Sequence, residues 1–459
     1  MTERLVVVGA DAAGMSAASQ ARRMRGQEDL EIVAFERSTH TSYAACGIPY
    51  WVSGDVSGPE ALVARSPEQH RSRGIDLRMS TEVVALDVAA GTVTSRDLAT
   101  GVEETLSYDH LVLATGASPL RPPVPNIGAA GVYGVQTLDD GAALLTGLEA
   151  LGEGTRRALI IGGGYIGIEM AEAMCSRGLE VTVVTMGEEP MDTLDPDMGR
   201  LVHEAMAGMG IDVRTATSVE AIETDAAGRA VGARAGGELF AADLVVLGTG
   251  VRPNTTLAAA AELPLGEYGG LLTDRRMRVQ GYDNVWAGGD CVEVLDLVSG
   301  QRVAIALGTH ANKHGQVIGT NVGGGYASFP GVVRTAISKV CDLEIARTGL
   351  READAVAAGF EPVSVRVESS TRAGYYPGTQ PLTVKMIAER RTGRLLGVQI
   401  VGREAAAKRI DAAAVALWNR MTVEEMTALD LGYAPPFSPV WDPVLIAARK
   451  AVEAVNRTR

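Results

Sequence analysis

Aromatic residues are scarce in this chain, at 4% of 459 residues, while glycine is abundant at 54. That pairing suits an α/β protein of Val/Ile/Leu strands joined by many tight glycine turns. Long apolar runs are also missing. No stretch approaches eighteen consecutive apolar residues, so no membrane span is expected. The four cysteines (Cys46, Cys175, Cys291, Cys341) lie far apart and form no CxxC or metal-ligand spacing. A disulfide scaffold and a metal site are therefore not expected, and a reducing cytoplasm is the expected compartment. Positive charge is in deficit as well: the net charge is −14, which argues against non-specific attraction to nucleic acid or anionic lipid. The first strand begins within a few residues of Met1, leaving no room for a secretory signal.

Apolar residues make up 46% of the chain and charged residues 21%, the balance of a soluble globular protein, and the length predicts two or three domains. Leu5 to Val8 reads as a buried parallel strand, followed by the loop Gly9-Ala10-Asp11-Ala12-Ala13-Gly14 and a helix of small residues. A second strand, Glu31 to Phe35, ends at Glu36. Gly9 permits a tight turn, Gly14 lets the helix pack closely on the strand, and the helix N-terminus faces a pyrophosphate. Glu36 is placed to accept hydrogen bonds from an adenosine ribose. Asp11 stands where the fingerprint has its middle glycine. The second unit is cleaner: Ala158 to Ile161 leads into Gly162-Gly163-Gly164-Tyr165-Ile166-Gly167, a helix, and the strand Glu180 to Val184. Thr185-Met186 follows where an acidic residue would favour NADH, and no Arg or Lys follows directly to hold a 2′-phosphate, so the nicotinamide preference stays open. Tyr108 to Gly116, Asp243 to Gly250 and Asn284 to Asp290 each read as a buried strand, the first two ending in glycine turns and the third delivering Asp290 to a helix start.

These motifs together resemble the FAD-dependent pyridine nucleotide-disulfide oxidoreductase family along almost the whole chain. The fold implied is α/β: two Rossmann-like dinucleotide-binding domains plus a C-terminal α+β dimerisation domain. FAD is expected on residues 1–118 and 245–325, NAD(P)H on 119–244, and dimerisation through 326–459. For the FAD unit the resemblance implies contacts from Gly9, Ala10, Asp11, Ala13, Gly14, Glu36, Arg37, Val83, Thr115, Gly116, Gly289 and Asp290. For NAD(P)H it implies Gly162, Gly164, Tyr165, Ile166, Gly167, Glu169 and Gly250, with Tyr165 covering the flavin until nicotinamide displaces it.

Cys46 lies in Ser42-Tyr43-Ala44-Ala45-Cys46-Gly47. Many relatives carry a second cysteine five residues on, but here that residue is Trp51, so no internal redox disulfide forms. A cysteine at a helix start is expected to have a lowered thiolate pKa. The other three cysteines read as packing residues or, for Cys291, without a role. The chain resembles the coenzyme A disulfide reductase and single-cysteine NADH oxidase group. Ala12 occupies the position where oxidases and peroxidases of that group place a histidine, and Gly432 to Pro443 resembles the coenzyme A disulfide reductase pattern. Ala45 departs from it, standing where that pattern often has Asn. The resemblance implies that Cys46 forms a mixed disulfide with coenzyme A or a similar low-molecular-weight thiol. It also implies a homodimer with shared active sites, in which Tyr433 of one chain serves the other. The second tyrosine is either Tyr375 or Tyr376, with Tyr376 favoured. Arg22, Ser42 and Arg65 are the expected substrate contacts, and Arg23 and Arg71 are further basic residues in reach. Rival readings are an NAD(P)H oxidase or peroxidase cycling through sulfenic acid, a persulfide reductase, and a flavoprotein redox sensor.

Overall fold

A computed structural model describes residues 2–152, 154 and 156–458. Strand β1 (Glu3–Val8) has its last four side chains buried, the pattern of a parallel strand covered on both faces. Helix α1 (Ala12–Met24), β2 (Leu30–Phe35), a short helix α2 (Ile48–Ser53), β3 (Asp76–Arg78) and β4 (His110–Leu113) follow. β1 pairs in parallel with both β2 and β4.

The second unit interrupts the first. It comprises β5 (Val132–Gly134), β6 (Arg157–Ile161), α3 (Tyr165–Ser176), β7 (Glu180–Val184), α4 (Pro196–Gly208), β8 (Asp212–Arg214) and β9 (Leu244–Leu247). Its sheet runs β8-β7-β6-β9-β5, all parallel. Because β9 belongs to this sheet, the unit extends a few residues beyond the expected boundary at 244. The physical reason is local: all four side chains of β9 are buried, and no turn residue occurs before Gly248. The chain then returns through an antiparallel pair, Val251–Pro253 against Ala117–Pro119. β10 (Val285–Ala287) joins the first sheet, which reads β10-β4-β1-β2-β3.

Helix α5 (Gly308–Val322) lies along α1 at unusually close range. A Cβ on Gly315 would sit 2.4 Å from Ala13 O, and one on Gly319 2.4 Å from Ala17 O. Only glycine permits that approach. Ser16 donates to Asn312 Oδ1 at 2.8 Å and Gln20 to Thr320 Oγ1 at 3.2 Å, fixing the register of the pair.

The third domain is an antiparallel sheet of β11 (Ala336–Val340), β12 (Leu343–Gly349), β13 (Pro362–Ser370), β14 (Pro381–Glu389) and β15 (Leu395–Gly402), in the order β11-β12-β15-β14-β13. Helices α6 (Ile410–Trp418) and α7 (Pro443–Thr458) pack on it and bury β14 and β15 almost throughout. Before α6, Ala405 takes φ +67 and residues 407–409 form a single 3-10 turn, and after it Val423–Met426 forms one short helical turn. Lys385 on β14 is buried and meets Asp195, Asp197 and Glu352 at 3.2, 2.7 and 2.6 Å. Asp195 and Asp197 sit at the start of α4, so this cluster clasps the third domain to the second unit. No described helix is long and apolar enough to cross a membrane.

Candidate functional site

The first glycine loop has little freedom. Gly9 takes φ +94, and a Cβ there would lie 2.2 Å from Ala114 O; a Cβ on Gly14 would lie 1.9 Å from Gly9 O. Glu36 accepts the N–H of Ala10 and of Ser38, each at 2.9 Å. Asp11 does not cap its own helix; its carboxylate accepts the Tyr43 N–H at 3.2 Å and so ties this loop to the segment carrying Cys46. Burial pushes Asp11 up to about 6, against the Tyr43 bond and with the help of Glu36 and Asp290. Asp290 is also pushed up to about 6 by burial, and it makes no side-chain hydrogen bond among the described residues. A half-buried carboxylate with no hydrogen-bond partner among the described residues can accept from hydroxyl or amide donors, such as the ribityl chain of FAD would supply. No acidic residue occupies the first turn of α1, which leaves its N–H groups to a pyrophosphate. These residues therefore fit the dinucleotide.

Arg37 and Glu82, 4.0 Å apart, edge a cavity of about 390 Å³ that also takes in Ser38, Ala117, Gln136 and Asp139. The cavity thus spans both units. Val83, next to Glu82, is nearly buried. Thr115 donates to Asn254 O at 2.6 Å, holding the two crossings together beside Gly116 (φ +66) and Gly250 (φ +86).

The second loop repeats the geometry of the first. A Cβ on Gly162 would stand 2.3 Å from Gly248 O, and one on Gly167 2.0 Å from Gly162 O, whereas Gly164 faces open space. That opening at the N-terminus of α3 suits a second pyrophosphate. Ile166 is half-buried beside it. Past β7, Thr185 is buried and Met186 is exposed. Burial raises the Tyr165 phenol, against the opposing influence of Arg347 and of the Thr193 hydroxyl. Burial raises Glu169, and the Ser338 hydroxyl opposes it from 2.7 Å.

Cys46 sits in the one-turn 3-10 helix Ala45–Gly47 leading into α2. It is exposed, and no other thiol partners it. Its pKa is raised, not lowered as the sequence led us to expect. Desolvation in the concave site comes first, then the negative charges of Glu169 and Asp290. Since the residue is exposed, the two carboxylates are the firmer cause. The reason for the reversal is that α2 has only six residues and a weak field, while one carboxylate from each unit faces the sulfur. The same two neighbours, one from each unit, place Cys46 where the two units meet. Trp51 is nearly buried, and its indole fills the space over Gly141 of the following unit. Cys291 is buried, with its thiol on Leu113 O and Gly288 O; Cys175 and Cys341 are half-buried in the core shared by the second unit and third domain.

The arginines need correction. Arg22 turns inward and donates to the carbonyls of Arg25, Leu30 and Gly74, so it braces α1. Arg71 likewise donates to Leu77 O. The residues that gather around Arg65 are Arg73 and Arg23, whose charges depress it after burial. Neither Arg65 nor Arg73 has a carboxylate partner among the described residues. Ser42, at φ +50, shares a 2.9 Å hydrogen bond with the wholly buried His70. Burial, then Arg65 and Arg73, push His70 down to about 4. Three cations crowded together without counter-ions mark an anion-receptive surface. Arg73 was missed because its spacing from Arg65 carries no pattern; only the turn after Arg71 brings the two together.

Tyr433 is 48% exposed and Tyr375 78% exposed. Local desolvation, then the neighbouring Tyr375 phenol, raise Tyr433. The structure thus brings Tyr375, not Tyr376, to Tyr433; Tyr376 is half-buried, with its N–H bonded to Ala373 O.

Residues 3–315 match the pyridine nucleotide-disulphide oxidoreductase family, and residues 335–443 match its dimerisation domain. Among curated proteins, the NAD(P)H coenzyme A polysulfide/persulfide reductase of Pyrococcus horikoshii is 38% identical, covering 98% of both chains. The NADH oxidase of Methanocaldococcus jannaschii is 36% identical, covering 99% of both. Among solved structures, reduced Bacillus anthracis CoADR-RHD superimposes with a TM-score of 0.94 at 31% identity, over 100% of this chain and 81% of that one.

Proposed function

The chain belongs to the pyridine nucleotide-disulphide oxidoreductase family, an enzyme family that uses FAD and NAD(P)H, and on that premise we propose that it reduces coenzyme A disulfide through a mixed disulfide on Cys46. One observation carries the reading: an exposed Cys46 between the two units, in the segment whose Ser42 bonds His70, with Arg65 and Arg73 acting on that histidine and no carboxylate partner for Arg23, Arg65 or Arg73 among the described residues. A thiol bearing phosphates matches both features. The coenzyme A named for the Pyrococcus relative agrees with it.

FAD supplies a two-electron relay between NAD(P)H and sulfur. Glu36, Asp11 and Asp290 would hold it from the first unit, and the Gly162–Gly167 loop would hold the nicotinamide dinucleotide from the second. Two electrons reduce the Cys46–S–S–R bond and release RS⁻ and the Cys46 thiolate. That thiolate attacks the next RSSR, re-forms Cys46–S–S–R and expels a second RS⁻. The net change is NAD(P)H + H⁺ + RSSR → NAD(P)⁺ + 2 RSH.

Tyr433, with Tyr375, supplies a proton to the departing thiolate of the neighbouring subunit. A homodimer with shared sites is supported by the match of residues 335–443 to a dimerisation domain and by the exposure of Tyr433, Phe437 and Trp441 in the single chain. A reducing compartment, the cytoplasm, suits a cysteine that must cycle between thiolate and mixed disulfide.

A second reading, coenzyme A persulfide as acceptor, is favoured by the name of the Pyrococcus relative. There the terminal S–S bond of RSSH is cleaved to RSH and H₂S by the same two electrons. The deciding experiment is anaerobic NAD(P)H oxidation with coenzyme A disulfide, coenzyme A persulfide, cystine and peroxide in parallel, with oxygen in a separate aerobic run. Turnover confined to oxygen or peroxide would sink both readings. Mass spectrometry of the isolated protein should show a coenzyme A adduct on Cys46. Arg65→Gln and Arg73→Gln should raise KM for coenzyme A disulfide while leaving cystine unaffected.

A further inference from the structure

The face of α3 that carries Tyr165 and Glu169 continues to Glu172, and strand β11 lies along it. Ser338 donates its hydroxyl to Glu169 Oε1 at 2.7 Å, and Lys339 donates Nζ to Glu172 Oε1 at 2.8 Å. Lys339 also sits 6.0 Å from the centre of the Tyr50 ring on α2. Its ammonium is thus engaged elsewhere, and Ser338 is the direct side-chain donor to Glu169 among the described residues. Ser338 is buried, so water competes little for this contact.

We propose that Ser338 is a positioning residue for the nicotinamide cofactor: from the third domain its hydroxyl holds the Glu169 carboxylate in one orientation beside Tyr165. The inference rests on the reading that the Gly162–Gly167 loop binds that cofactor. A hydroxyl donating to a carboxylate favours its charged form, and Glu169 needs that support. Burial pushes it up, Ser338 opposes, Glu172 pushes up again, and Lys339 opposes. The groups that face Glu169 are Tyr165 and Glu172 on its own helix, Lys339 on β11, and Cys46 and Tyr50 at and after the 3-10 turn. Of these, Glu172 and Lys339 are paired with each other. The sheet that serves dimerisation thereby sets the charge and aim of a residue in the other domain's nucleotide site.

The test uses the flavin-loaded enzyme and anaerobic stopped-flow reduction by NADH, which yields Kd without any disulfide acceptor. In Ser338→Ala, Kd for NADH should rise roughly threefold to tenfold at pH 6 and by about twofold or less at pH 8, because losing the donor makes the Glu169 carboxylate easier to protonate as pH falls. Ser338→Thr keeps the donor and should restore the wild-type profile. In the Glu169→Gln background, Ser338→Ala should add no further loss. The inference is overturned if Ser338→Ala matches wild type at both pH values, if its loss is equal at both, or if that loss persists in full on top of Glu169→Gln. A wild-type enzyme whose flavin neither NADH nor NADPH reduces would instead refute the underlying reading of the loop. Flavin absorbance reports folding of each variant.

Discussion

Replacing Gly315 by alanine should loosen both the fold and the flavin site. The new Cβ would stand 2.4 Å from Ala13 O, 2.5 Å from Ser16 Cβ and 2.9 Å from Ala17 N. Two of these are backbone atoms of α1, so no rotamer change relieves the clash. Restoring an ordinary contact means parting α1 and α5 by about 1 Å. Overpacking of this kind costs roughly 1–3 kcal/mol. The smaller unfolded-state entropy of alanine offsets roughly 0.4–1 kcal/mol of that. The net loss, at most about 2.5 kcal/mol, corresponds to a fall in Tm of roughly 1–3 °C for a chain of this length. Flavin retention should fall too, because Ala13 packs against the Gly289 turn that presents Asp290. Gly319→Ala meets the same geometry against Ala17 O and should behave alike, the double variant losing less than the sum because one helix separation relieves both sites. Gly208→Ala is the control: its Cβ would meet nothing within 4 Å at the end of α4, so a gain of roughly 0.5–1 kcal/mol is expected. Calorimetry and the ratio of flavin to protein absorbance decide. Equal behaviour of Gly315→Ala and Gly208→Ala would refute the reasoning.

Cys46→Ser should abolish disulfide-dependent turnover while NAD(P)H still bleaches the flavin, and Cys175→Ser and Cys341→Ser should retain turnover; residual activity of Cys46→Ser within tenfold of wild type would speak against a mixed disulfide. Tyr375→Phe should reproduce the loss seen in Tyr433→Phe, at least on the order of tenfold in kcat, whereas Tyr376→Phe stays near wild type; the reverse ranking would restore Tyr376 as the partner. Acidification should destabilise the protein. His70, His310 and His314 are held down to about 4, 4 and 3 by burial, so their contribution is present above pH 6.5 and is lost as pH falls towards those values. Asp11 and Asp290, raised to about 6, act in the opposite sense, since the fold binds their protons more tightly below that pH. Three depressed histidines against two raised aspartates give a net loss, and thermal melts of the apoprotein from pH 7 to pH 4 should show it. His314→Asn should flatten the slope, and an unchanged slope would discount His314.

Much of the architecture was legible in the sequence because buried parallel strands and glycine turns leave local marks. Leu5–Val8 and Ala158–Ile161 are unbroken apolar runs that end in glycine, and such a run can only be a strand covered on both faces. The boundary near residue 244 was misplaced because β9 looks identical whether it closes one sheet or opens the next; only hydrogen bonding to β6 decides. Arg22 was preferred over Arg23 on sequence position, yet one step of about 100° around α1 turns it towards Leu30 and Gly74. The acidity of Cys46 was read from the element that carries it, although its nearest strong charges come from residues 169 and 290.

The sequence by itself determined that two glycine loops of the dinucleotide-binding type, one cysteine without a partner at position 51 and a separate antiparallel domain occur in one chain, since each depends on residues close together along it. The tertiary structure decided which charges meet the sulfur, which arginines lack counter-ions, which tyrosine faces Tyr433, and that Ser338 reaches Glu169. Those contacts span tens to hundreds of residues, and electrostatic effects depend on distance through space rather than along the chain.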